Sequence, residues 1–70
     1  MERKELKELG KILKSKRELK GLTQIQLAEK SGVDRNYIGM LERGERNPSY
    51  LSLMKIANGL GISIFNLIKP

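Results

Sequence analysis

The sequence predicts an all-α domain of five helices, and three observations predict it. Apolar residues recur at a spacing near 3.6, as in Leu6, Leu9, Ile12 and Leu13 and again in Leu53, Ile56, Ala57 and Leu60. One capping device appears three times: an apolar residue, an oxygen-bearing N-cap, and an apolar residue four positions after the cap. It is found in Leu22-Thr23-Leu27, in Val33-Asp34-Ile38 and in Ile62-Ser63-Leu67. Glycines stand at Gly21, Gly32, Gly44 and Gly61, where the preceding helices must stop.

Taken in order, the first helix is expected over 3–20, with Gly21 just past its end. Eight of the 14 Lys and Arg residues lie between Met1 and Lys20, against four acidic ones. Lys4 with Glu8 and Lys14 with Glu18 support the helix at i,i+4, and most of these lysines form a solvated face. The second helix is expected over 24–31, where Gln26 completes a capping box with Thr23, and the third over 35–43. Their joint, Ser31-Gly32-Val33, is too tight for antiparallel neighbours, so the pair crosses sharply, as in a helix-turn-helix. Ala28 permits close crossing, Gly32 makes the turn, and Ile38 and Leu41 lock the third helix onto the second. After a loop from Gly44 to Pro48, the fourth helix is expected over 50–60, capped by Ser49 in preference to Asn47. Its buried stripe is Leu53, Met54, Ile56, Ala57 and Leu60, with Met54 as a gap-filler. The fifth is expected over 64–68.

Seventy residues allow one domain with a small core. With no Cys and no His, disulfides and the usual zinc, iron and thiol sites are excluded, and no metal or cofactor is expected. The commonest general base and the most reactive nucleophile are missing too, which argues against an enzyme. A net charge of +6 fits attraction to a polyanion, nucleic acid before membrane. No apolar run approaches the roughly 20 residues that span a bilayer, and the charged start argues against a secretory signal. A cytoplasmic protein is expected, with neither a membrane nor a small-molecule partner.

On a helical wheel of about 100° per residue, Ile38 and Leu41 point one way, with Glu42 beside them. Asn36, Met40 and Arg43 gather on the other side, flanked by Gly39, and Arg35 projects from the first turn. Arg and Asn are the side chains whose paired donors and acceptors match guanine and adenine edges in the major groove. Any small helical domain has a polar outer face, however, so the wheel gains weight only with the Ala28, Gly32, Ile38 and Leu41 spacing. The start of the second helix, at Thr23 and Gln24, offers free N–H groups to an anion.

These residues carry a resemblance. Thr23-Gln24, Leu27-Ala28, Gly32-Val33, Tyr37-Ile38, Glu42-Arg43-Gly44 and Arg46-Asn47-Pro48-Ser49 resemble the signature of the Cro/C1-type (XRE-family) helix-turn-helix domain. The similarity continues through Ile56-Ala57 and Leu60-Gly61-Ile62-Ser63 to Leu67. Within that family, Asp34-Arg35-Asn36-Tyr37-Ile38 with Arg46-Asn47 most resembles the short controller proteins of restriction-modification systems. The resemblance implies a five-helix, lambda-repressor-like fold that binds double-stranded DNA, with helices two and three as the helix-turn-helix. It implies base contacts from Arg35, Asn36 and Met40, Met40 offering only apolar contact, for example with a thymine methyl. Arg46 is placed near bases or backbone; Tyr37 could serve the core, a phosphate or a base. Backbone contacts are implied for Thr23, Gln24, Arg43 and Asn47, and Lys16 is a further candidate. An ion pair between Arg17 and Glu42 is implied to tie the first helix to the third. Gly39 departs from the polar residue usual at its position; close approach to DNA and drift both explain it.

Leu51, Ile64, Phe65 and Ile68 exceed what one small core needs, and the positions of Leu51 and Phe65 are often polar in the family. Together they form a candidate homodimer face. The expected function is therefore a dimeric, sequence-specific transcriptional regulator on a near-palindromic operator, a restriction-modification controller or a phage-type or chromosomal repressor. No separate effector domain fits in this length. The rival is an antitoxin or adaptor that uses the same fold to hold a protein partner; Arg35 and Asn36 on the outer face speak against it.

Overall fold

The computed structural model describes residues 1–68. Five helices follow one another: α1 (Arg3–Leu19), α2 (Gln24–Ser31), α3 (Arg35–Glu42), α4 (Tyr50–Leu60) and α5 (Phe65–Ile68). Four of the five helix starts, those of α2 to α5, are closed by the side-chain cap the sequence supplies; at α1 the Glu2 amide instead donates to Glu5 Oε1 at 3.0 Å. Thr23 Oγ1 accepts from the Gln26 amide at 3.0 Å while Gln26 Oε1 accepts from the Thr23 amide at 2.9 Å. Asp34 Oδ1 accepts from the Asn36 amide at 2.7 Å, Ser49 Oγ from Ser52 at 3.1 Å and Ser63 Oγ from Phe65 at 3.1 Å. Each bond satisfies an amide that the first turn of a helix otherwise leaves unpaired.

The helices pack as two crossed sets. α2 lies on α4 and meets α3 at the sharp turn, while α1 packs against both α3 and α5. Leu13, Leu27, Ile38, Leu41, Ile56 and Leu67 are the fully buried centre, so all five helices contribute to one core. The α1–α3 crossing is close because Gly10 lacks a side chain. A Cβ there would sit 2.5 Å from the carbonyl oxygens of both Leu41 and Glu42.

Three boundaries differ from expectation by one residue. α1 stops at Leu19 and α3 at Glu42, because Lys20 and Arg43 serve as C-caps before the left-handed Gly21 and Gly44. α5 starts at Phe65, with Ile64 in the capping turn that Ser63 closes. Met54 is a correction: it is exposed, because α4 buries only Leu53, Ile56, Ala57 and Leu60 and leaves Met54 outside that stripe. Ile64 is also corrected in part, being half-buried against the core instead of standing free with Phe65.

Candidate nucleic-acid interface

α3 is held by what it buries. Ile38 and Leu41 are 0% and 1% exposed, which fixes the rotation of the helix and turns Arg35 and Asn36 outward into solvent. Its orientation is fixed again from the side by a buried ion pair. Arg17 of α1 donates from Nε to Glu42 Oε2 at 2.6 Å and from Nη2 to Oε1 at 3.0 Å, a two-pronged contact with both side chains nearly closed to water. Arg17 Nη1 donates to the Leu22 carbonyl at 2.7 Å, so one guanidinium joins α1, the α1–α2 loop and α3. The hydrogen bond to Glu42 raises the Arg17 pKa, and the guanidinium stays charged throughout the ordinary pH range.

Gln24, at the first turn of α2, extends this network: its Nε2 donates to Glu42 Oε1 at 3.0 Å. The sequence reading assigned Gln24 only to a phosphate, and nothing in its spacing from Glu42 signalled the contact. Thr23, beside it, is exposed beyond its capping role.

Gln24, Arg35, Asn36, Met40 and Arg43 come together around one concavity of about 390 Å³ between α2 and α3. Two residues absent from the sequence-based set join them, Ile25 and Gly39. Ile25 is 46% exposed and lies off the buried stripe of α2, which is the signal that could have marked it.

The loop after α3 folds back toward this face. The Arg46 guanidinium lies 5.6 Å from the centre of the Tyr37 ring, a cation–π arrangement, and its Nη1 approaches Met40 Sδ at 3.8 Å. Tyr37 itself is half-buried and packs against the core. Arg43 is exposed and donates from Nε to Glu45 Oε2 at 2.9 Å; this raises the Arg43 pKa and lowers that of Glu45. Asn47 is exposed in the same loop. Lys16 lies apart: it borders a separate shallow depression with Lys11, Ile12 and Ser15 on α1. Leu51, Phe65 and Ile68 are 61%, 71% and 43% exposed, on α4 and α5, and none of them lines the concavity between α2 and α3.

Among the described residues there is no cluster of acidic side chains suited to a metal ion and no helix long and apolar enough to cross a membrane. What the α3 face offers is a protruding short helix with two guanidinium groups and an amide, able to bind anions and to form paired hydrogen bonds.

Known proteins share this fold. The structure of the restriction-modification controller protein C.AhdI from Aeromonas hydrophila superposes with a TM-score of 0.87 at 44% identity, covering 89% of this chain and 94% of that one. The control protein C.SmaI from Serratia marcescens is 42% identical over 60 residues, 86% of this chain and 71% of that protein. The immunity repressor protein of Bacillus phage phi105 is 38% identical over 60 residues, 86% of this chain and 42% of that protein. Three regulators it matches are longer, this chain spanning 35%, 42% and 66% of their length. The family profile described as Helix-turn-helix, HTH_3, matches residues 13–67, and the chain belongs to this XRE-type family of transcriptional regulators, which are not enzymes.

Proposed function

We propose that the protein binds a specific double-stranded DNA site as a homodimer and regulates transcription there, in the manner of a restriction-modification controller. The observation that carries the reading is the rotation of α3: buried Ile38 and Leu41 leave Arg35 and Asn36 facing out at the helix start. In this reading α3 enters the major groove. Arg35 makes two bonds to one guanine, Asn36 reads a neighbouring base, and Met40 makes apolar contact. Arg46, stacked on Tyr37, flanks the groove. Thr23 and Gln24 at the α2 N-terminus, with Arg43, Asn47 and the more distant Lys16, meet phosphates. Arg43 exchanges Glu45 for a phosphate on binding.

Exposed Leu51, Phe65 and Ile68 support a two-fold interface on α4 and α5, and the newly exposed Met54 extends that apolar surface along α4. Two copies so joined present two α3 helices to half-sites about one helical turn apart, on a near-palindromic operator. A cytoplasmic location follows from a chromosomal target. The likeness to the phi105 immunity repressor favours a second reading, a phage-type repressor, with the same geometry and different genes under control.

Selection of bound duplexes from a random pool, with light scattering of the free protein, tests the proposal. A two-fold symmetric consensus bound by a dimer is the expected result. Absence of any enriched sequence at moderate salt, or a co-purifying protein bound in place of DNA, would overturn it.

A further inference from the structure

The charged side of α1 is not all solvated surface, because three of its residues touch α3 or the turn that follows it. Arg17 pairs with Glu42, Gly10 lies against the Leu41 and Glu42 carbonyls, and one turn earlier Lys7 meets Gly44. Gly44 has a φ of 73°, and a Cβ on it would sit 2.9 Å from Lys7 Cγ and 3.0 Å from Lys7 Cα. Glycine alone lets the chain turn there so close to α1. The turn gathers Arg3, Lys7, Arg43 and Glu45 around one shallow depression, although they come from opposite ends of the three-helix segment.

This grouping works against the free protein. Arg3 and Lys7 stand four apart on one helix, where like charges repel, and Arg3 is the first residue of α1, at the positive end of its dipole. Glu45 is the one carboxylate among the lining residues, and Arg43 already holds it at 2.9 Å. Among the described residues Arg3 and Lys7 enter no ion pair, and both are exposed. Three cations against one carboxylate leave the depression with a surplus of positive charge that an anion would relieve. Arg43 also lines the concavity that carries Arg35 and Asn36, so the depression continues the α3 face past the C-terminal end of the helix.

We propose that Arg3 and Lys7, with Arg43, form a binding site for backbone phosphates of the DNA strand that borders the groove at the C-terminal end of α3. The inference rests on the reading of the α3 face as the major-groove surface, and it extends the footprint onto the start of α1. Lys16, the α1 residue expected from the sequence to reach a phosphate, lies outside this depression. Such contacts carry no base information; they fix register and orientation on the duplex.

The test uses the full chain. Arg3→Gln with Lys7→Gln removes both charges and keeps the Cγ that packs on Gly44. Fluorescence anisotropy across a salt series follows binding to the duplex selected from a random pool and to a scrambled duplex of equal length. Each phosphate contact adds about 0.9 to the slope of log affinity against log salt, so the variant should lose about 1.8 on both duplexes alike. Lys20→Gln with Lys30→Gln removes the same charge beside the C-terminal end of α4 and should change the slope by less than half as much. Methylphosphonate then neutralises each phosphate of the selected duplex in turn. At one or two positions per half-site this should weaken the wild type and leave the variant unchanged. Thermal unfolding of the variant should hold or rise, because the repulsion is gone, which separates a lost contact from a lost fold. A slope change no larger than the control's, or no phosphate whose neutralisation separates wild type from variant, overturns the phosphate site and leaves the DNA-binding reading standing. Failure of the wild type to select any duplex overturns both.

Discussion

Replacing Glu42 with Leu removes the one acceptor shared by three donors: Arg17 Nε, Arg17 Nη2 and Gln24 Nε2. Arg17 is 8% exposed and keeps only the Leu22 carbonyl, so its charge is left buried and largely unpaired. Breaking a buried pair from one side costs about 3–5 kcal/mol. Seventy residues at roughly 0.05–0.15 kcal/mol each give a total stability of about 4–10 kcal/mol, so the single change removes a large fraction of it. Removing both charges, as in Arg17→Met with Glu42→Leu, replaces the pair by apolar groups of similar length and should fall within about 1–2 kcal/mol of wild type. Urea unfolding followed by far-UV circular dichroism, at one protein concentration because a dimer couples stability to concentration, measures both. The reasoning fails if Glu42→Leu costs under about 1 kcal/mol, or if the double variant loses as much as the two singles together.

Three further outcomes follow from particular contacts. Gly10→Ala places a methyl against the Leu41 and Glu42 carbonyls and should cost about 1–3 kcal/mol by forcing α1 off α3, despite alanine's better helix propensity; thermal unfolding reads it. Ser31 is buried against Gly59 with its Oγ unpaired, so Ser31→Ala should hold or raise stability by up to about 1 kcal/mol in the same assay. For the exposed Arg43–Glu45 pair, the lowered carboxylate pKa means its small, salt-screened stabilisation is present above the ordinary Glu range and lost as pH falls through the lowered value. In Arg43→Ala the Glu45 pKa, followed by carboxylate NMR titration, should rise toward the ordinary value; no change would remove Arg43 as its cause.

How much of this was legible in the sequence depended on whether the signal was local. The staples at Leu22-Thr23-Leu27 and Val33-Asp34-Ile38 are written within five or six residues, and both helix starts stand where those residues put them. Ser49 caps α4 in preference to Asn47 for the same reason. The inward face of α3 followed from Ile38 and Leu41 alone. What periodicity could not supply was the identity of the neighbour. Met54 sits one position from the stripe of α4, and only the placement of α2 shows which side of that stripe is covered. Gly10 reads as an ordinary residue within a helix until the carbonyls of α3 are seen beside it. The Arg17–Glu42 contact spans 25 residues and came from the resemblance, whereas the Gln24 arm of the same network had no such guide. Helix ends ran one residue long at Lys20 and Arg43 because the left-handed glycine marks the position after the cap, not the cap itself.

The central claim is that the outward start of α3 selects a base sequence. Fluorescence anisotropy of wild type and Arg35→Ala, on the selected duplex and on a scrambled duplex of equal length, tests it most directly. Loss of one paired contact to guanine should weaken Arg35→Ala on the selected site by about 1–3 kcal/mol, roughly five- to 150-fold, with at most a twofold change on the scrambled one. Equal losses on both duplexes, or none on either, would contradict the account.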